Sequence, residues 1–184
     1  MTTALLAAVF VLLAAPAASH ERTDAEIRSS IESFLGSIDT HITAEQWRAL
    51  GPKAAPILEA MANDHELLAT RRARSLEGLS VVGQPQHSKL MVSMAQSEQE
   101  PPIVRMSAMR GAGRMLGPRR LVAALKPVLG SAKDMHVRAI AAEVLAYHSS
   151  SAGCASVAEQ LRKEPVEQRL AFHRSIKACK LDEQ

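Results

Sequence analysis

The sequence predicts an all-α fold built from stacked helix pairs, and three observations support this prediction. Aromatic residues make up only 3% of the 184 residues, too few for most β-sandwiches, because aromatic and β-branched side chains cover their pleated faces. The 47% hydrophobic share consists largely of Ala, Leu and Met, which are good helix formers. Gly51, Gly83 and Gly117 each end an apolar helical pattern, 32 and 34 residues apart, and a proline follows within two residues. A fixed period of this size is typical of a stacked array.

Residues 1–19 are predicted to be a signal peptide rather than part of the fold. Residues 4–18 form an uncharged apolar run, which is short for a membrane span of about 20 residues and matches the apolar region of a secretory signal. Small residues at its end predict cleavage after Ala17 or Ser19. The mature chain, a single domain over residues 20–184, is then exported to a periplasm or secreted, with no membrane span. The alternative is a short N-terminal anchor helix.

Five helix pairs are predicted, over residues 24–50, 53–83, 86–117, 119–148 and 152–180. Thr23 with Glu26 forms a capping box that opens the first helix, and Thr43 with Gln46 opens the second. Ile38 is expected on the apolar face of the first helix. The glycines that end the units are expected to take positive φ, which suits a helix C-terminus.

Equivalent residues recur in the second helices at intervals of 33. One position holds Arg72, Arg105 and Arg138, and another holds Leu79, Ala112 and Leu145. The second set is expected to face inward in each successive helix. The predicted helices are amphipathic, so each helix pair needs a neighbouring pair to cover its apolar side.

Three strings carry a family resemblance: ALGPKAAPILEAMAND (Ala49 to Asp64), MLGPRRLVAALKPVLG (Met115 to Gly130) and VRAIAAEVLAYH (Val137 to His148). They resemble HEAT-like repeats, the short bacterial kind also found in phycobilin lyases. The resemblance covers roughly residues 44–180 and implies an α-solenoid of about five antiparallel helical hairpins. It says little about function, because such repeats serve binders, scaffolds and a few enzymes.

The two cysteines are predicted to form a disulfide, because an exported protein meets an oxidising compartment. Cys154 opens the first helix of the last pair and Cys179 closes the second, and these ends lie side by side in an antiparallel hairpin. The alternative is a pair of buried free thiols. A structural zinc site is poorly supported, because no further Cys or His stands at zinc-ligand spacing.

The arginine-rich middle is the one electrostatic feature that could select a partner. Residues 101–138 contain eight basic residues and a single acid, Asp134. The candidate partner-binding residues are Arg71, Arg74, Arg105, Arg110, Arg114, Arg119 and Arg120. They predict an anionic partner, most simply a protein with an acidic surface. Nucleic acid is a poor candidate, because no aromatic residues interleave the arginines for base stacking.

The alternative is that these arginines have a structural role. The face is then solvated, and the recurring arginines at 72, 105 and 138 brace the stack by pairing with loop acids such as Asp64 and Asp134. In that case the basic stretch stabilises the fold and binds nothing.

Methionine suggests a second candidate function. Six of the eight methionines lie within 91–135, and Met91 with Met94, or Met106 with Met109, are spaced to share a helix face. With His87 and His136, or with an N-terminal His20 after cleavage, they could bind copper in a periplasm. These methionines stand at the apolar, core-facing positions of the predicted helices, so the alternative is that they fill the core.

No catalytic motif is found: the chain lacks a Gly-x-Ser-x-Gly elbow, a phosphate-binding glycine loop and a His-Glu-x-x-His pair. The sequence therefore predicts an exported, non-enzymatic protein-binding scaffold without a cofactor. The copper-binding protein is the second hypothesis, and an enzyme or enzyme accessory is the third.

Overall fold

The structure is a computed structural model and describes residues 22–37 and 40–181. Every regular element in those ranges is helical, which confirms the all-α prediction. The helices are α1 (Asp24–Gly36), α2 (Ala44–Arg48), α3 (Ala54–Asn63), α4 (Ala69–Val82), α5 (Ser88–Gln96), α6 (Pro102–Met115), α7 (Pro118–Ser131), α8 (Met135–His148), α9 (Ser150–Leu161) and α10 (His173–Cys179), with 3₁₀ segments at Pro85–His87 and Val166–Phe172. The predicted signal peptide, His20 and Ile38 lie outside the described residues.

The helices pack as two layers. Consecutive helices pair, α3 with α4, α5 with α6 and α7 with α8. The second members form one layer, in which α2 contacts α4, α4 contacts α6, α6 contacts α8 and α8 contacts α10. The first members form the other layer, in which α1 contacts α3, α5 contacts α7 and α7 contacts α9. Within the described ranges, no helix combines the length and the apolar character that a membrane crossing requires.

The core between the layers follows the 33-residue register. Leu79, Ala112 and Leu145 are each fully buried, as expected for equivalent inward positions. Glycine allows the closest approaches between helices: a Cβ added at Gly78 would lie 2.7 Å from the ring of Trp47. The predicted capping boxes are both present, at Thr23 with Glu26 and at Thr43 with Gln46.

The prediction of positive φ at the three unit-ending glycines is correct only at Gly51, whose φ is 78°. Gly83 and Gly117 have φ near −70° and extended ψ. At Gly83 the reason for glycine is space, because a Cβ there would collide with the carbonyl oxygen of Leu79. Gly117 is the N-cap residue of α7, so the chain begins a new helix there instead of closing the old one.

The last pair differs from the others in its second member, which begins as the 3₁₀ segment Val166–Phe172 and continues as α10. The predicted disulfide is present: Cys154 in α9 and Cys179 at the end of α10 are bonded, with Cα atoms 5.4 Å apart. The bond fixes the start of one helix beside the end of the other.

Candidate binding surface

The solvent-facing sides of α4, α6 and α8 form a continuous surface, which we call the second-helix surface. Because these three helices contact one another in order and share a 33-residue register, equivalent residues form three rows across it. The rows are Arg74–Ser107–Ile140, Glu77–Arg110–Glu143 and Val81–Arg114–Tyr147, and all nine residues are exposed or half-buried.

The charges on this surface are mixed, with a basic excess. Arg110 is exposed, and its row also contains Glu77 and Glu143. Glu143 forms an ion pair with Arg174 of α10, at 3.5 Å. The arginines could be predicted from the sequence but these two acids could not, because their place in the register becomes visible only when the helices are stacked.

Two of the predicted arginines are held in place by contacts between neighbouring helices. Arg114 donates a hydrogen bond from Nη1 to the Ser80 hydroxyl on α4, at 2.8 Å. Arg74 donates from Nη1 to the carbonyl oxygen of Phe34, at 3.1 Å. Both side chains are therefore oriented before any partner arrives, which lowers the entropy that binding must remove.

A cavity of about 380 Å³ lies where α2 meets this surface. Its lining includes His41, Trp47, Arg48, Glu77 and Arg114. Trp47 is buried, and its Nε1 has no hydrogen-bond partner. His41 and Arg48 add basic character that sequence reasoning missed, because α2 is only five residues long and fits the repeat register poorly.

The remaining predicted arginines are in other places, so the seven do not form one band. Arg119 and Arg120 are exposed in the first turn of α7, in the other layer, where they line a depression with Gly117 and Pro118. Arg71 is exposed near the start of α4.

Arg105 is buried, with 6% of its surface exposed. It belongs with Arg72 and Arg138, each the fourth residue of a second helix. Each donates to a carbonyl oxygen at the end of the preceding helix: Arg72 Nε to Ala62 at 2.9 Å, Arg105 Nε to Ala95 at 3.2 Å, and Arg138 Nη1 to Ala132 at 2.9 Å. Helix C-termini leave such carbonyls without a backbone donor, so these arginines cap the first helices.

The expected ion pairs of these arginines with Asp64 and Asp134 are not formed among the described residues. The pKa of Arg138 is raised chiefly by its hydrogen bond to Glu164, and the charge of Asp134 adds a smaller attraction in the same direction. Asp64 accepts a hydrogen bond from the Glu66 backbone nitrogen, and Asp134 accepts one from Val137 at the start of α8. These short carboxylates are engaged by the adjacent backbone, as is usual for aspartate in turns and caps.

Glutamates of the following unit take that role instead. Arg72 donates from Nη2 to Glu100 at 2.8 Å. Arg138 donates from Nε and Nη2 to the two carboxylate oxygens of Glu164, at 2.6 and 2.7 Å. The hydrogen bond from Arg138 holds the pKa of Glu164 below its ordinary value although the carboxylate is buried, and Gln160 acts in the same direction. We call these two interactions the arginine–glutamate clamps.

Three of the four methionines proposed as copper ligands are buried in the core; Met106 is half-buried against it, and His136 is exposed. Met91, Met94 and Met109 are buried among the hydrophobic residues, where thioethers fill irregular gaps. The Nδ1 of His87 accepts a hydrogen bond from the Gln84 backbone nitrogen, at 2.7 Å. In the part of the chain that the structure describes, no three His, Cys, Asp or Glu side chains are grouped to hold a metal ion.

Comparison with known proteins assigns no family. No protein-family model matches the chain, and neither a curated protein nor a solved structure does.

Proposed function

We propose that this chain is an exported HEAT-like α-solenoid with a signal peptide over residues 1–19. It acts as a non-enzymatic scaffold that binds an acidic protein through the second-helix surface. The pairwise contacts of α2, α4, α6, α8 and α10, in that order, and the 33-residue register support the repeat assignment. The disulfide supports export to a periplasm or the cell exterior, because such bonds persist in oxidising compartments.

The continuity of the second-helix surface carries the binding proposal. Packed helices are about 9 Å apart, so three of them present a strip of about 20 Å with a fixed repeat of side chains. Such extended surfaces suit a protein or peptide rather than a small molecule. Three arginines, Arg74, Arg110 and Arg114, outnumber the two acids Glu77 and Glu143, which favours an acidic partner.

Site-specific photo-crosslinking tests this proposal. A photoreactive residue is placed at Arg110 or Tyr147 on the surface, and as a control at Lys89, which is exposed on α5 in the other layer. In cells that export the protein, we expect one discrete adduct from positions 110 and 147 and none from position 89. Adducts of equal yield from all three positions, or from position 89 alone, would contradict the proposal.

A further inference from the structure

One of the three capping arginines lacks the clamp that the other two have. Arg72 pairs with Glu100, and Arg138 pairs with Glu164. Arg105 has the same position in α6 and the same bond to the preceding helix. No carboxylate of the described residues forms an ion pair with it.

The register shows which residue replaces the missing glutamate. Glu100 lies two residues before α6 begins, and Glu164 lies two residues before the 3₁₀ segment begins. The residue two before α8, and 28 after Arg105, is Lys133. The third site therefore has a cation where its two equivalents have an anion. Asp134, next to it, is engaged at the N-terminus of α8.

The guanidinium of Arg105 retains donors that no described residue uses, although only 6% of the residue is exposed. Only its Nε has a partner, the carbonyl oxygen of Ala95. The fully enclosed polar atoms without a partner are Trp47 Nε1, Glu100 Oε2 and Ser149 Oγ among the described residues. The Nη atoms of Arg105 make no hydrogen bond and are not among these fully enclosed atoms, so part of their surface faces solvent.

We propose that Arg105 and Lys133 form a binding site for a carboxylate, supplied by a glutamate side chain of the partner protein. The inference rests on the proposed function, because the carboxylate comes from that partner. The two closed sites indicate the ligand, since in both a glutamate carboxylate pairs with the arginine equivalent to Arg105. A guanidinium whose Nη donors have no partner binds a carboxylate in a fixed geometry. Lys133, at the register position of the missing glutamate, supplies a second positive charge.

Replacement of Lys133 tests the site without removing Arg105. The change Lys133→Glu places a glutamate at the position that closes the other two sites, and Lys133→Gln only removes the charge. We expect Lys133→Glu to melt about 2–4 °C above Lys133→Gln, because a third clamp forms. Lys89→Glu, exposed on α5, controls for the added negative charge and should not raise the melting temperature.

Direct binding is measured with a blocked glutamate, N-acetyl-glutamate methylamide, and its neutral glutamine counterpart. The probe is titrated at constant ionic strength while the Nε–Hε resonance of Arg105 is followed by NMR. We expect a saturable shift with the glutamate probe in wild type, no shift with the glutamine probe, and at least a fivefold smaller shift in Lys133→Glu. A shift of equal size with chloride, or one unchanged in Lys133→Glu, would overturn the proposal.

Crosslinking to the partner protein gives a third test of the carboxylate site. Lys133→Glu should reduce the crosslinked adduct from position 110 several-fold relative to Lys133→Gln and Lys89→Glu. An adduct that persists undiminished in Lys133→Glu overturns the carboxylate site and leaves the proposed function intact. Absence of any adduct in wild type refutes the proposed function, whereas the NMR titration still tests carboxylate binding at Arg105.

Discussion

Ala112 lies at the point where the two layers meet in the middle of the chain, and it is fully buried. Its equivalents Leu79 and Leu145 are also fully buried. A small residue here lets α6 sit between α4 and α8, both of which it contacts. Because Ala112 has no surface exposed to solvent, a charge placed there is buried in the core.

The change Ala112→Glu should therefore destabilise the fold by about 3–5 kcal/mol, the usual cost of a buried, uncompensated charge. Urea unfolding followed by circular dichroism measures the difference. Ala123→Glu is the matched control, because Ala123 is exposed on α7, and it should change the free energy of unfolding by less than about 0.5 kcal/mol. Equal stability of the two variants would contradict the inward placement of Ala112.

The repeated positions within helices could be predicted from the sequence. The residues of a neighbouring unit that pair with them could not. The capping boxes were predictable because their i, i+3 spacing is set by the helix. The inward set was predictable because the 33-residue repeat is visible in the sequence itself. The clamp acids were not, because Glu100 lies 28 residues after Arg72 and Glu164 lies 26 after Arg138. Sequence reasoning chose the nearest aspartates, Asp64 and Asp134, whose carboxylates are used by their own turns.

At the level of elements, the clamp of Arg138 with Glu164 joins α8 to the segment that precedes the last 3₁₀ turn. Only 2% of the Glu164 side chain is exposed. Replacement by Glu164→Gln leaves Arg138 without its charged partner and should cost about 3 kcal/mol at neutral pH. Glu167→Gln, exposed in the following 3₁₀ segment, is the control and should cost little.

The cost of Glu164→Gln should depend on pH in a defined direction. The pKa of Glu164 is lowered by folding from an ordinary value of 4.5. Stabilisation by the ionised carboxylate is therefore complete above pH 4.5 and is lost as the pH falls through the folded-state pKa. Urea unfolding at a series of pH values should show the gap between wild type and Glu164→Gln narrowing below pH 4.5. A gap that stays constant down to pH 2 would show that ionisation of Glu164 does not stabilise the fold.

The disulfide links α9 to α10, the two helices of the last described pair. The bond closes a loop with a sequence separation of 25. Replacing both cysteines by serine should lower the free energy of unfolding by about 3 kcal/mol, chiefly by releasing the unfolded chain. The wild type treated with reductant should match the double variant, and the double variant should not respond to reductant. Intact-mass analysis of alkylated, unreduced protein should find no modified thiol.

For the whole molecule, the distribution of exposed charge should determine how the proposed acidic partner protein associates. The change Arg110→Glu with Arg114→Glu reverses two exposed charges on the second-helix surface. We expect the affinity for the acidic partner protein to weaken by about tenfold at about 0.05 M salt. At about 0.5 M salt it should weaken by much less, because salt screens exposed charges. The melting temperature should change little.

Arg119→Glu with Arg120→Glu is the matched control for that experiment. It makes the same change in net charge in the other layer and should leave binding nearly unchanged. If both double variants weaken binding equally, net charge rather than the second-helix surface attracts the partner. Loss of the fold in the first variant alone would show that its arginines brace the stack.

The uneven distribution of the arginine–glutamate clamps gives the molecule an uneven stiffness. Bending between α4 and α6 separates Arg72 from Glu100, and bending between α8 and the last 3₁₀ segment separates Arg138 from Glu164. Between the third and fourth helix pairs, the structure shows apolar packing and a hydrogen bond from Gln96 to the Ala124 carbonyl oxygen, at 2.9 Å, but no clamp at Arg105. Bending at this junction therefore breaks no arginine–glutamate clamp, unlike bending at the junctions on either side of it. A carboxylate bound at Arg105 would add a charged contact at this junction and resist its bending.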